Sequence, residues 1–206
     1  MNIEMNIKNF QAVNTTIKEV QLDHTNTLQV IKAKKINQFD ENTYAKLKDL
    51  TFKNGLIEVK MLSRLLPDAP EFARGFIGLA FRINNDDSAF EAFYFRPTNG
   101  LKQTDDSIRQ NHAWQYFSYP KYTFSYMREH KIKGFEGPAN IKLNQWISLK
   151  IIIKNAKAKF YLNQQINPIL KVDQLKMGAN IGGSVGFFVD IGTVAYFKDL
   201  VIVTND

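Results

Sequence analysis

Apolar and polar side chains alternate with period two along much of the chain, interrupted by Asn, Asp, Gly and Pro, the pattern of many short antiparallel strands. It is clearest from Gly55 to Leu62, where Ile57, Val59 and Met61 point one way and Leu56, Glu58 and Lys60 the other. That spacing predicts a strand with one apolar face over the core. Arg74 to Ile83 and Ser88 to Arg96 flank Asn84-Asn85-Asp86-Asp87. They predict a hairpin, because Asn and Asp tolerate the left-handed conformation and bond their own backbone. Trp146 to Lys154 and Ala156 to Asn163 predict another, turning at Asn155, with Ile147, Leu149, Ile151 and Ile153 answered by Ala158, Phe160 and Leu162.

Gly183 to Asp190 and Val194 to Val203, joined by Ile191-Gly192-Thr193, predict the closing pair. Phe197, Leu200 and Ile202 belong to its core face, across an irregularity at Lys198-Asp199. The runs Asn9 to Val13, Ile17 to Leu22 and Thr27 to Lys32 predict short strands that pair with this last one. Asp173 to Lys176 predicts one helical turn before Gly178. Thr98 to Gly137 lacks alternation and is rich in aromatic and polar residues; a connection of that length carries function or has structure of its own.

The pattern defines an all-β class, and 206 residues suit one domain spanning 1–206. With 16 Phe and 8 Tyr the interior is that of packed pleated sheets rather than a helical bundle. A net charge of +7 invites a nucleic-acid reading. The cations are scattered, however: Lys32, Lys34, Lys35, Lys46, Lys48, Lys150, Lys154, Lys157 and Lys159 fall on alternate strand positions or in turns, as solvated faces do. No nucleic-acid module accompanies them, so no nucleic-acid partner is expected. The absence of Cys excludes disulfides, thiolate metal sites and a Cys nucleophile. No stretch approaches about 18 apolar residues, so no membrane partner is expected. Met1 to Phe10 lacks a signal-peptide core, which reads as cytoplasmic, although a chain trimmed of a leader reads the same. No feature sets an oligomeric state.

Several segments together resemble a known group. Phe52-Lys53-Asn54-Gly55-Leu56-Ile57-Glu58-Val59, Gly75 to Arg82 with Glu91 to Pro97, and His112-Ala113-Trp114-Gln115-Tyr116 with Pro120-Lys121-Tyr122 carry the likeness. Trp146, Lys150, Phe160 to Asn163, Gly186-Phe187 and Ala195 to Leu200 complete it. The chain resembles bacterial concanavalin A-like lectin/glucanase domains, whose relatives include laminin G-like modules, family 16 glucanases and 3-keto-disaccharide hydrolase-like proteins. The resemblance implies a two-sheet antiparallel jelly roll and a carbohydrate ligand. It implies a fold more firmly than an activity. The family 16 signature, E-x-D-x-E or its bulged form, is missing, which removes the two carboxyl groups about 5 Å apart that retaining hydrolysis needs.

The candidate ligand-binding residues are Arg82, Tyr94, Arg96, Asn111, Trp114, Gln115 and Tyr116, with Glu91 and His112 as the one acid–base pair. Tyr94 and Arg96 share a strand face, with Glu91 on the other unless a bulge changes the parity. If these groups line an exposed sheet, they offer planar donors and aromatic platforms to sugar hydroxyls and ring faces. The opposing reading is a structural Arg–Glu network beneath the long connection, with Tyr119, Tyr122 and Tyr126 packing that connection down. Three functions stay open: carbohydrate binding, hydrolysis of glycosides or oxidised disaccharides through Glu91 and His112, and a laminin G-like protein-interaction module. No cofactor and no metal site are expected; Asn84 to Asp87 could hold calcium, but four turn residues do not make the six to eight oxygen ligands it takes.

Overall fold

The computed structural model describes residues 1–205. Along the chain run β1 (Asn2–Ile3), β2 (Phe10–Val13), β3 (Thr15–Leu22), β4 (Thr25–Lys32), β5 (Tyr44–Leu47), β6 (Gly55–Leu65), β7 (Ile77–Ile83) and β8 (Phe90–Phe95). There follow α1 (Ser107–Gln110), β9 (Trp114–Tyr119), α2 (Phe124–Glu129) and β10 (Glu136–Gly137). The chain closes with β11 (Ile147–Lys154), β12 (Lys157–Leu162), β13 (Leu170–Val172), β14 (Ser184–Val189) and β15 (Thr193–Thr204). One sheet has the order β13-β12-β11-β6-β15-β4-β3, with β1 added to β15; the other runs β10-β9-β8-β7-β14-β5-β2. All pairings are antiparallel, and the fold is the jelly-roll β-sandwich of the concanavalin A-like type.

The first sheet follows the alternation closely, because only one of its faces is buried. Ile151 lies between Ile57 and Phe160 in register, all three inward. Phe93 of the second sheet stacks on Phe160 of the first at 4.6 Å, and Phe187 on Phe197 at 4.3 Å and nearly parallel. Each such pair adds roughly 1 kcal/mol beyond its buried area. Near the end of β15 the register shifts between Lys198 and Val201, with Asp199 in the left-handed region at φ 54°, and this keeps Leu200 and Ile202 in the core.

The second sheet differs, since both of its faces are covered. One packs on the first sheet; the other carries a separate apolar layer in which Tyr44, Phe90, Tyr94, Phe117 and Phe188 meet Phe76 and Met127, with Phe39, Tyr122 and Ile132 against them. Strands β7, β8 and β14 are therefore buried along their whole length. The same burial explains the unrecognised strand β9. Trp114 to Ser118 are all buried, so no polar face alternates with an apolar one, and the supposed connection holds a central strand.

Two smaller expectations are corrected. Of the N-terminal runs only β4 pairs with the last strand; β3 pairs with β4, and β2 joins the opposite sheet beside β5. Asp173 to Lys176 forms turns rather than helix, and Gly178 N donates to Leu175 O at 2.9 Å. The hairpin turn Asn84 to Asp87 bonds to protein groups: Asp87 Oδ1 accepts from Lys46 Nζ at 2.9 Å and Tyr44 OH at 3.0 Å, while Asp86 Oδ1 accepts from Ser88 Oγ at 2.7 Å. Three of the four sheet edges are short, with three residues in β13, two in β10 and four in β2, whereas β3 has eight. No helix among the described residues is long and apolar enough to cross a membrane.

Candidate functional site

Strand parity divides the predicted constellation. On β8, Glu91 sides with Phe93 and Phe95 toward the inter-sheet core, while Tyr94 sides with Phe90 and Ala92 toward the outer layer. Arg82 has φ 54° near the register shift between β7 and β14, and this bulge brings its side chain to Glu91 rather than to Tyr94. Inside the sandwich the Arg82 guanidinium donates to Gly178 O at 2.8 Å, Asn155 O at 2.6 Å and Glu91 Oε2 at 3.4 Å. Glu91 Oε1 accepts from Tyr116 OH at 2.5 Å and Met177 N at 3.2 Å. Burial raises the Glu91 carboxyl above the usual range against those donors. None of Arg82, Glu91 and Tyr116 reaches solvent.

Trp114 is buried as well: its ring stacks on Phe93 and covers Gly137, and its Nε1 donates to Pro138 O at 3.0 Å. The structure thus separates the acid–base pair. Glu91 lies in the inter-sheet core, whereas His112 lies at the surface beside Glu136.

On the outer side a different set converges on Arg96. Its guanidinium donates to Tyr94 OH at 2.8 Å, Gln115 Oε1 at 3.2 Å, His112 O at 3.1 Å and Glu136 Oε1 at 3.1 Å. Arg128 also donates to Glu136, at 3.0 Å from Nε, and His112 Nε2 is 3.6 Å from the same carboxylate. Burial works against the charge on Glu136, yet the Arg128 and Arg96 guanidiniums outweigh it and hold the carboxyl below its ordinary range. Burial, together with Arg128 and Arg96, lowers His112 despite Glu136, so its imidazole is neutral at pH 7. Two guanidiniums lie over the Phe124 ring, Arg128 at 5.0 Å and Arg96 at 5.7 Å from its centroid.

Two shallow depressions flank this centre. One, of about 360 Å³, is lined by Asn111, His112, Gln115, Arg128 and the Lys131 to Glu136 turn. The other, of about 300 Å³, is lined by the cations Arg74, Arg96, Arg109 and Arg128, by His112, and by the rings of Phe39, Phe72, Phe76 and Phe124. Phe72 is 51% exposed, and its edge-to-face contact with Phe39, 5.6 Å between centroids, orients the ring at the rim. A larger hollow of about 640 Å³ near the N-terminus is lined by residues such as Asn2, Glu4, Glu19 and Asp199, with no aromatic or cationic group. The second depression is the one that joins planar donors to ring faces.

A buried polar chain supports its floor. Asp40, at φ 57°, accepts from Phe124 N at the start of α2 at 2.7 Å and donates its own backbone N–H to Asp190 Oδ2 at 2.9 Å. Asp190 in turn binds Lys32 Nζ at 2.5 Å. Lys32, expected on a solvated face, is therefore a buried ion-pair partner. Burial, with the Asp190 carboxylate beside it, pushes Asp40 up to about 7. The contact ties the segment before β5 to α2 and so positions both Phe39 and Phe124.

Of the predicted ligand-binding residues, Arg96, Asn111 and Gln115 line the depressions, as does His112, and Tyr94 lies directly beneath Arg96. Arg74, Arg109, Arg128, Phe39, Phe72, Phe124 and Glu136 went unrecognised. One signal was available for Arg109. Asp106 caps α1, accepting from Ile108 N at 2.9 Å and Arg109 N at 3.2 Å, and an Asp immediately before a short run marks a helix start.

No family model and no curated protein sequence matches the chain. Solved structures match in fold. The carbohydrate-binding module CBM66 from Bacillus subtilis has a TM-score of 0.59 and 13% identity, covering 93% of each chain. A Bacillus subtilis protein of unknown function with a galectin-like fold has a TM-score of 0.59 and 12% identity, covering 95% of this chain and 89% of that one. The β-glucanase of Bacillus licheniformis has a TM-score of 0.50 and 12% identity, covering 94% and 83%.

Proposed function

We propose that this chain is a carbohydrate-binding domain whose ligand seats in the depression between Arg96, Arg109 and Phe72. The observation that carries the reading is the pairing of a half-exposed, oriented Phe72 ring with planar guanidinium donors across one depression. A sugar offers an apolar C–H face to the ring and hydroxyls to the donors. The fold shared with CBM66 over nearly the whole of both chains supports the reading.

Binding is favoured over hydrolysis by the supply of carboxylates. Retaining and inverting glycoside hydrolysis ordinarily takes two, one of them protonated. Among the residues lining the two depressions Glu136 is the sole carboxylate, and two guanidiniums hold it, with the His112 imidazole beside them. That environment suits a permanent anion rather than an acid.

The test is a glycan array followed by calorimetric titration of the best oligosaccharide, with thermal unfolding as a control for folding. Phe72→Ala and Arg109→Ala are each expected to weaken binding by about tenfold or more while the melting transition moves little, since both side chains are partly exposed. Absence of any glycan signal, or affinity indifferent to both substitutions, rules the site out. Product release from an oligosaccharide would select hydrolysis instead.

A further inference from the structure

We infer that the ligand of this depression carries an acidic group, a carboxylate or a sulfate ester on a sugar ring, held between Arg74 and Arg109; this rests on the carbohydrate reading above. Four guanidiniums line the depression, those of Arg74, Arg96, Arg109 and Arg128. Arg96 and Arg128 share one counter-charge, Glu136. Arg74 and Arg109 have none within ion-pair range among the described residues. Arg74 Nη1 donates to the backbone carbonyls of Glu71 at 2.7 Å and Ala73 at 2.9 Å, and the exposed Glu71 carboxylate acts on it only through space, without an ion pair. Arg109 donates to Asn99 Oδ1 at 3.2 Å and to Thr98 O at 3.3 Å.

Both side chains are thus fixed by neutral acceptors and half-buried, and the four guanidiniums around about 300 Å³ outnumber the one carboxylate paired with any of them. His112 adds nothing to that balance at neutral pH, being held neutral. Assembling like charges at a partly desolvated surface costs free energy, which an anion entering the depression returns. Burial and the neighbouring Arg109 and Arg96 charges lower Arg74 in the same sense, against an opposing pull from Glu71. The guanidinium fork matches carboxylate and sulfate oxygens two at a time, which selects a planar or tetrahedral oxyanion over a hydroxyl. Phe72, Phe39 and Ile108, the last 69% exposed, remain for the C–H face of the same residue. The chain's overall charge of +7 favours approach of a polyanion.

The experiment compares matched ligands by calorimetry: oligogalacturonate against its methyl ester, and sulfated against unsulfated galactan oligosaccharide. Each is titrated into the wild-type chain, Arg74→Gln and Arg109→Gln, with citrate and inorganic sulfate as anions without a sugar. The expected result is binding about tenfold or more tighter for one acidic member than for its neutral partner, a gap that closes to about twofold in either variant. The carboxylate and sulfate arms identify the group. Should the variants fail to fold, the wild-type salt dependence decides. Affinity for the acidic ligand should fall steeply as salt rises while that for the ester stays flat. Equal affinity for acid and ester overturns this inference and leaves the carbohydrate reading standing. Binding of citrate or sulfate with no glycan binding overturns the carbohydrate reading, and with it the acidic-sugar ligand. No binding of any kind overturns both.

Discussion

Arg82 and Glu91 meet at 3.4 Å inside the sandwich, with neither side chain exposed to water. Two ions removed from solvent hold only as long as both are present, because a lone buried charge loses its hydration without replacement. Glu91→Leu alone, or Arg82→Met alone, is therefore expected to lower stability by about 3 to 5 kcal/mol. The double substitution Arg82→Met with Glu91→Leu should recover most of that loss. Urea unfolding of the four proteins gives the coupling directly, and additivity of the two single effects would contradict it.

Gly137 is fixed by the indole above it. A Cβ at this position would stand 2.2 Å from Cζ2 of Trp114, whose ring is held by Phe93 and by its bond to Pro138. Gly137→Ala should cost roughly 1 to 3 kcal/mol through overpacking and shift the tryptophan emission spectrum. An unchanged melting temperature would show that the indole yields freely.

Asp40 gives stability a distinctive pH dependence. Its carboxyl titrates near 3.8 when solvated and near 7 in the folded chain. Between those values the folded state keeps a proton that the unfolded state has released, so this group's contribution is greatest below about pH 4, declines as pH rises and levels off above 7. A shift of about three units corresponds to at most about 4 kcal/mol. Asp40→Asn should leave stability nearly unchanged at pH 4 and raise it at pH 8. Denaturant midpoints at both values check this, and a difference between the two proteins that is independent of pH would refute it.

Glu136 acts in the opposite sense. Its folded carboxyl titrates below the usual range, so the stability it confers is present above about pH 4.5 and is lost as pH falls through the folded value. Glu136→Gln leaves the buried Arg96 without a counter-ion and should destabilise by about 3 kcal/mol at pH 7. The same change frees two guanidiniums, so affinity for an acidic ligand should rise by about threefold or more at low salt. Parallel melting and titration measurements separate these effects.

The first sheet was legible because water covers one of its faces. Ile57, Val59 and Met61 alternate with Glu58 and Lys60, and Ile151 with Lys150, so each strand declares its inward side. The second sheet concealed itself by being enclosed. Trp114 to Ser118 and Tyr44 to Leu47 have few polar partners to mark a period, so β9 has the sequence pattern of a connection. The site was legible in part. Arg96, His112 and Gln115 lie near one another along the chain, and they meet in the fold. Arg82 left the group because one left-handed residue reversed its direction, a backbone event that side-chain patterning does not encode. Phe39 and Phe124 come from segments joined by the Asp40 to Phe124 bond, a contact across 84 residues, and Phe72 and Arg74 from a third segment, so no local pattern brings them together.

The unequal sheet margins bear on self-association. Three of them end in strands of two to four residues, too brief to template a neighbouring chain, whereas Thr15 to Leu22, paired along one side with β4, presents the outward backbone groups of an eight-residue edge. Lys18 and Glu19 punctuate that ribbon with opposite charges. Its exposure to strand addition is thereby concentrated in one place, and those two side chains are the guard against it.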